Sequence, residues 1–219
     1  LIMVSSVLAP VQQRGREALQ RLGLPTRKQE AWRLTDLKRL EVLATLPEVS
    51  ETSNPLMPEV SDGVTRLVLG GQMDPLDGVS LPEGVTPLTD AELNRHLGQT
   101  LDHCGCAEAW PVELNHAHSQ HVLALRVCGK VSALELVLAT GAGLTATRVL
   151  LLLESNAELE LLEVFPSGSS SSDGQCAHSH VLEVHLGQDA RLNHGVLASG
   201  NGDASVSYTH LRAHETSHH

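Results

Sequence analysis

Two groups of histidines are the first candidates for chemistry in this chain: His116, His118 and His121, and then His178, His180 and His185. Imidazole nitrogen is a ligand for zinc, iron or copper, and on a strand His178 and His180 would share one face, two residues apart. No carboxylate or cysteine stands at a matching position beside them in the sequence, and their spacing fits no closed tetrahedral set. The expectation is therefore polar strand ends and solvated turns, with no metal site. Cys104-Gly105-Cys106 could handle sulfur or iron as a thiol pair, but its expected role is a loop ahead of Trp110. With Cys128 and Cys176 these are read as free thiols of a reducing compartment, because a Cys-Gly-Cys spacing is awkward for an intrachain bridge. No phosphate-cradling Gly-x-x-x-x-Gly-Lys-[Ser/Thr] is present, which speaks against ATP hydrolysis by this chain. No catalytic, cofactor-binding or metal-ligating residue is assigned.

The composition narrows the class. A chain of 219 residues is long enough for one large domain or two small ones. Aromatic residues are only 2% of it, so the core must be built of Leu, Val and Ala. The formal net charge of −11 argues against a nucleic-acid surface and against a polybasic membrane patch. No apolar run is long enough to span a bilayer, since Arg148 and Glu154 bracket the longest. The opening LIMVSSVLAP lacks the basic flank of a secretory signal. The expected compartment is the cytoplasm, or a plastid whose transit peptide is missing. The His-rich stretch SVSYTHLRAHETSHH resembles vector read-through, and 205–219 are expected to be a non-native tail outside the fold.

The elements that must position these groups are apolar strands from His121 onward: 121–127, 133–139, 145–154, 158–165, 179–186, 190–198 and 203–207. Several alternate strictly, with Leu159 and Leu161 opposing Glu158 and Glu160, and Leu182, Val184 and Leu186 opposing Glu183 and His185. Val149 to Leu153 is continuously apolar, as in a strand covered on both faces. The turns between them contain Gly129, Gly141 to Gly143, Asn156, Gly187 to Ala190 and Gly200 to Ala204. Gly, Asn and Asp tolerate positive φ at a tight corner, and a following Ala lets the next layer sit close. A recurrence of about a dozen residues predicts a β-solenoid, with a two-sheet sandwich as the competitor. The expected class is mainly β, a parallel β-helix over 116–204 preceded by a small helical or mixed region over 1–115.

Within 1–115 an amphipathic helix is predicted from Val7 to Leu22, stopped at Gly23. Thr26 is placed to cap a short helix through Arg33, and Thr35 or Asp36 another through Leu43. Residues 47–63 read as a loop, Thr65–Leu69 as a strand, and 70–78 as a turn-rich passage. Thr89 and Glu92 have the spacing of a capping box opening a helix to about Leu97, and Glu108 to His116 is a further apolar segment.

Two runs carry a family resemblance. Leu24-Pro25-Thr26-Arg27-Lys28-Gln29-Glu30-Ala31-Trp32-Arg33-Leu34-Thr35-Asp36-Leu37 resembles the N-terminal signature of the SufD family. The run from His180 through Glu183, Gly187, Asp189 and Ala190 to His194 resembles the strand pair that crosses one corner of the SufB/SufD β-helix. Glu113-Leu114-Asn115-His116-Ala117 is similar to the segment leading into that core. Together they cover most of 20–205 in the family's order, and the Trp32 signature favours SufD over SufB.

The resemblance implies the N-terminal part of a non-enzymatic scaffold subunit, with the later coils, the dimer-forming edge and the C-terminal helices absent. Such a subunit pairs with a SufB-like protein and a SufC-like ATPase to assemble iron–sulfur clusters. Any cluster would be held transiently on the complex, and no nucleic acid or membrane is implied as a partner. The family's functional Cys and His lie beyond this sequence, so none is carried over. Trp32 is expected to be a packing anchor, His194 to pack or hydrogen-bond at a corner, and Ser167 to Ser172 to be a loop insertion. The competing functions are a β-helix carbohydrate-active enzyme, which would want a signal peptide, clustered Asp and a basic groove, and a hexapeptide-repeat acyltransferase, whose strict six-residue spacing these strands lack.

Overall fold

A computed structural model describes residues 5–49, 59–70, 74–139, 141–166, 175–199 and 204–214. Gly71, Thr140, the Ser167 to Ser172 tract, the corner at 200–203, most of the 47–63 loop and residues 215–219 lie outside them. Helix α1 (Ser5–Leu22) is followed by a 3-10 turn (Glu30–Trp32) and α2 (Leu37–Thr45). Strands β1 (Thr65–Leu69) and β2 (Val85–Pro87) precede three short helices, α3 (Asp90–His96), α4 (Gln99–His103) and α5 (Trp110–His118). Seven strands follow among the described residues: β3 (Val122–Val127), β4 (Lys130–Leu138), β5 (Gly143–Leu153), β6 (Glu158–Phe165), β7 (Cys176–Leu186), β8 (Arg191–Ala198) and β9 (Ala204–His214).

The strands form two sheets, ordered β1-β4-β6-β8 and β2-β3-β5-β7-β9. From β3 onward the chain alternates between them, so each strand pairs in parallel with the strand two places later. Among the described residues the one antiparallel pair is β2 with β3. The corners explain how this is achieved. Asn156 and Asp189 adopt φ of 62° and 56°, and each is followed by Ala and then a new strand. Ala157 is fully buried. A Cβ on Gly187 would stand 2.8 Å from Ser155 N, so successive corners stack too closely for a side chain there.

Period-two alternation sends Leu123, Leu125, Val149, Leu151, Leu182 and Val184 from one sheet, and Leu134, Leu136, Leu159 and Leu161 from the other, into a shared interior. Each such side chain contributes about 1.5–3 kcal/mol by leaving water. Phe165 is the aromatic member of this interior, in keeping with the aliphatic composition. The other face of the five-stranded sheet is roofed by helices. Leu40, Leu43, Trp110 and Leu114 meet Leu144 and Ala177, Val7 and Leu93 meet Leu150 and Leu152, and Leu101 and Val112 meet Val181. This double cover is why Val149 to Leu153 is apolar without interruption. On the four-stranded sheet, Lys130, Glu160, Arg191 and Asn193 face solvent.

The molecule is thus mixed α/β, two predominantly parallel sheets with a helical layer, where the sequence reading expected mainly β with a small helical region. The helices are a full covering layer, and β1 and β2 add strands from 1–115 to both sheets. Thr89 and Glu92 form the expected capping box, and Asp36 caps α2 by accepting from Lys38 N. The helix expected after Thr26 shrinks to a 3-10 turn, because Gln29 N bonds back to Thr26 O in a tight turn. Strand β9 starts inside the segment expected as a strand at 203–207, and its residues 205–214, from the tail expected outside the fold, run beside β7. A parallel ladder is made by backbone groups, and the edge of β7 supplies them whatever the side chains.

Candidate functional site

The interior between the sheets changes from apolar to polar along the strands. On β7, Leu182, Val184 and Leu186 point inward, and the same phase carries His178 and His180 inward. On β6 the inward set Leu159, Leu161 and Phe165 includes Glu163, while Leu162 turns out to solvent. On β5 the phase of Val149 and Leu151 brings in Thr145 and Thr147, and on β8 that of Leu192 brings in His194.

These side chains meet. Glu163 Oε1 lies 2.7 Å from His180 Nε2, and Oε2 lies 2.9 Å from His194 Nε2. Thr147 Oγ1 stands 2.7 Å from His180 Nδ1 and 2.9 Å from His178 Nε2. With both carboxylate oxygens accepting, one assignment of protons serves these four contacts. The Nε2–H groups of His180 and His194 donate to Glu163, the Thr147 hydroxyl donates to His180 Nδ1, and His178 Nε2–H donates to the Thr147 oxygen. His178 Nδ1 and Thr145 Oγ1 are left buried without partners. Burial above all lowers the His178 pKa to about 3, with the neighbouring His180 adding to the shift and Glu163 opposing it. The Phe165 ring closes the group edge-on, 5.7 Å from the ring of His178 and 5.9 Å from that of His180.

A second polar group lies on the opposite face of the five-stranded sheet, beneath the helices. Arg148 Nη2 donates to Glu183 Oε1 at 2.7 Å, with both side chains almost wholly buried. Glu183 also accepts from Gly98 N at 3.0 and 3.2 Å, at the start of α4. Thr100 Oγ1 contacts His185 Nε2 at 2.8 Å. Asn115 ties the helical layer to two neighbouring strands, its amide donating to Thr147 O at 3.0 Å and Ser179 O at 3.1 Å. His116 Nδ1 lies 3.1 Å from Glu113 Oε2 and 3.0 Å from Arg14 Nη2. This is no ion pair: burial first, then the charges of Arg148 and Arg14, push the His116 pKa down to about 2. Burial raises that of Glu113.

The expectation of solvated histidines is therefore corrected. His116, His178, His180 and His185 are all buried. A carboxylate does stand beside His180, contributed by a strand of the opposite sheet. The two sequence groups do not converge, since His116 lies on the helical side and His178 and His180 lie between the sheets. His118 pairs with Glu48 at 2.8 Å, partly exposed, and His121 is partly exposed before β3. His194 hydrogen-bonds as expected, and Trp32 packs against the Leu40, Leu43 and Trp110 cluster. Cys104 and Cys106 fall in the loop after α4, and among the described residues no cysteine is joined in a disulfide. Sequence reading missed Glu163, Thr147, Arg148, Glu183 and Asn115. The available signal was phase, because Glu163 keeps step with Leu159 and Leu161.

Thr147, His180 and Glu163 have the hydroxyl–imidazole–carboxylate connectivity of a hydrolytic triad, yet Thr147 is only 4% exposed and shares its oxygen with His178. Two surface clefts lie elsewhere. One, of about 380 Å³, is lined by Arg14, Glu17, Arg21, Asp102, Glu108 and Glu113. The other, of about 560 Å³ on the four-stranded sheet, is lined by Lys130, Glu158, Glu160, Arg191 and Asn193. Among the described residues, no three His, Cys, Asp or Glu side chains stand ready-spaced around a cation, and no helix is long and apolar enough to cross a membrane. No family model matches the chain, and no curated protein matches its sequence.

Proposed function

We propose that this chain is a scaffold subunit of the Suf iron–sulfur cluster assembly complex, non-catalytic itself, and that its alternating strands are the half-turns of a β-solenoid. The observation that carries the reading is where the SufD-like runs fall. His180 to His194 runs from within β7 through one corner into the first half of β8. Within it Gly187 allows the close stacking of corners, Asp189 supplies the positive φ, and His194 reaches Glu163. In the run Glu113 to Ala117, Asn115 fastens a helix to two neighbouring strands. In the run Leu24 to Leu37, Trp32 anchors the N-terminal turn. Each run does structural work, as a scaffold requires, and the pairing of each strand with the strand two places later favours the solenoid over a sandwich.

On this reading the partners are a SufB-like subunit and a SufC-like ATPase, which supplies the hydrolysis. An iron–sulfur cluster is cargo of the complex, and the setting is the cytoplasm or a plastid. A β-helix carbohydrate-active enzyme is the second reading, favoured by Glu158 and Glu160 in the cleft of the four-stranded sheet. Against it, Glu158 lies 3.4 Å from Lys130 and 3.7 Å from Arg191, which occupy its charge.

Co-expression with tagged SufB-like and SufC-like proteins tests the proposal. The expected result is one assembly containing all three chains on size exclusion. A folded chain that elutes alone and turns over pectin or oligomannuronate overturns it.

A further inference from the structure

Independently of that reading, we propose that Glu163, His180 and His194 form a binding site for one divalent first-row transition metal between the two sheets. The three donors come from three strands, β6, β7 and β8, and the carboxylate already holds one imidazole Nε2 on each oxygen. Two imidazoles and a carboxylate suit ions from Fe²⁺ to Zn²⁺, whereas Ca²⁺ and Mg²⁺ prefer oxygen alone.

The present distances describe the proton-filled state of such a site. A tetrahedral ion with bonds of about 2.0–2.1 Å holds its donor atoms about 3.3 Å apart. The two N···O separations, 2.7 and 2.9 Å, would therefore open by roughly half an ångström. Both N···O separations must widen for an ion to enter, so the three donors are not pre-spaced around a cation in the present structure. His194 lies on β8, at the edge of the four-stranded sheet among the described residues, with its side chain almost wholly buried.

The surrounding hydrogen bonds accommodate the change. Coordination at His180 Nε2 moves its proton to Nδ1, which then donates to Thr147 Oγ1. The Thr147 hydroxyl turns to His178 Nε2, and the proton of His178 moves to its buried, unpartnered Nδ1. His180 and His178 stay neutral throughout, and the proton of His194 likewise passes from Nε2 to Nδ1, so coordination by the two imidazoles releases no proton. Thr147 is the positioning residue of the site, holding the ring of a ligand by its second nitrogen.

The test is titration of the full chain with Co²⁺ and Zn²⁺, followed by metal-to-protein stoichiometry, the visible d–d absorption of cobalt, and melting temperature. The chain also carries His210, His214, His218 and His219, which can take up metal on their own, so the readout is the difference between variants. Wild type should bind one equivalent more than Glu163→Gln, show tetrahedral cobalt bands that the variant lacks, and melt higher with Zn²⁺ where the variant does not. His194→Gln, on the edge strand, should behave like Glu163→Gln if that variant folds poorly. Thr147→Val should keep the site with affinity about 10–100-fold weaker. Equal stoichiometry and equal cobalt spectra in wild type and both ligand variants would overturn the proposal, as would no uptake at all.

Discussion

Glu163 and Glu183 are both fully buried, one facing inward between the sheets from β6 and the other outward beneath the helices from β7. Glu183 is held by a guanidinium and by the backbone at the start of α4, donors whose protons do not exchange for anything near neutral pH. Glu163 is held by two imidazoles, whose tautomers can shift and whose nitrogens can take a metal in place of a proton. The same carboxylate is thus a fixed structural tie on one side and a replaceable one on the other. What distinguishes them is the partner, since burial is equal. Asn115 links the two sides, because the backbone oxygen it holds belongs to Thr147.

The sharpest way to break this comparison is to remove one member of the fixed pair. Glu183→Gln leaves Arg148 charged and buried, and Nε and Nη1 of Arg148 already lack partners. The expected loss is about 3–5 kcal/mol in urea unfolding. The double replacement Arg148→Met with Glu183→Leu should recover most of it, because no buried charge is then left uncompensated. Equal losses in the single and double variants would show that the pair is not the reason for the cost.

The contrast also marks how far the sequence could be read. β1 and β6 were legible to the residue, because alternation and bounding turns coincide there, and the Thr89–Glu92 box and the corners at Asn156 and Asp189 follow from side-chain chemistry alone. α4 was not legible: it has five residues and is preceded by Gly98, in the left-handed region with no capping side chain. β2, three residues long, has no period to show. The burial of the histidines was hidden for a different reason. Alternation assigns His185 and Glu183 to the face opposite Leu182, which they do occupy, but it does not reveal that helices cover that face. The meeting of Glu163 with His180 needs two sheets laid over each other, a relation between residues of separate strands that spacing along the chain does not record.

On the exchangeable side the expected cost is smaller. Glu163→Gln loses two charge-assisted hydrogen bonds, yet the amide oxygen still accepts from one imidazole. Its NH₂ group can donate to the other, provided that ring moves its proton to Nδ1. The expected loss is about 2 kcal/mol, roughly half that of Glu183→Gln, again by urea unfolding. A cost equal to or above that of Glu183→Gln would mean that imidazole partners are as rigid as arginine, and the comparison would fail.

The smallest effect concerns an imidazole on the fixed side. His116 sits near Arg148 and Arg14, and burial together with those charges holds its pKa at about 2 in the folded state, against 6.5 for the free side chain. Between those values the unfolded chain binds a proton that the folded chain does not, so stability falls as pH falls. The favourable contribution is complete above pH 6.5 and is lost progressively down to about 2. From pH 6 to pH 5 the loss from this one group is about 1 kcal/mol. In His116→Leu the contacts to Arg14 and Glu113 are gone at every pH, which adds a constant offset, while the proton-linked part disappears. The difference in unfolding free energy between wild type and variant should therefore shift by about 1 kcal/mol between pH 6 and pH 5, in the direction that favours the variant at the lower pH. A difference that stays constant across this interval would show that His116 protonates freely in the folded state, and that the arginines beneath the helices do not fix the charge of their neighbours.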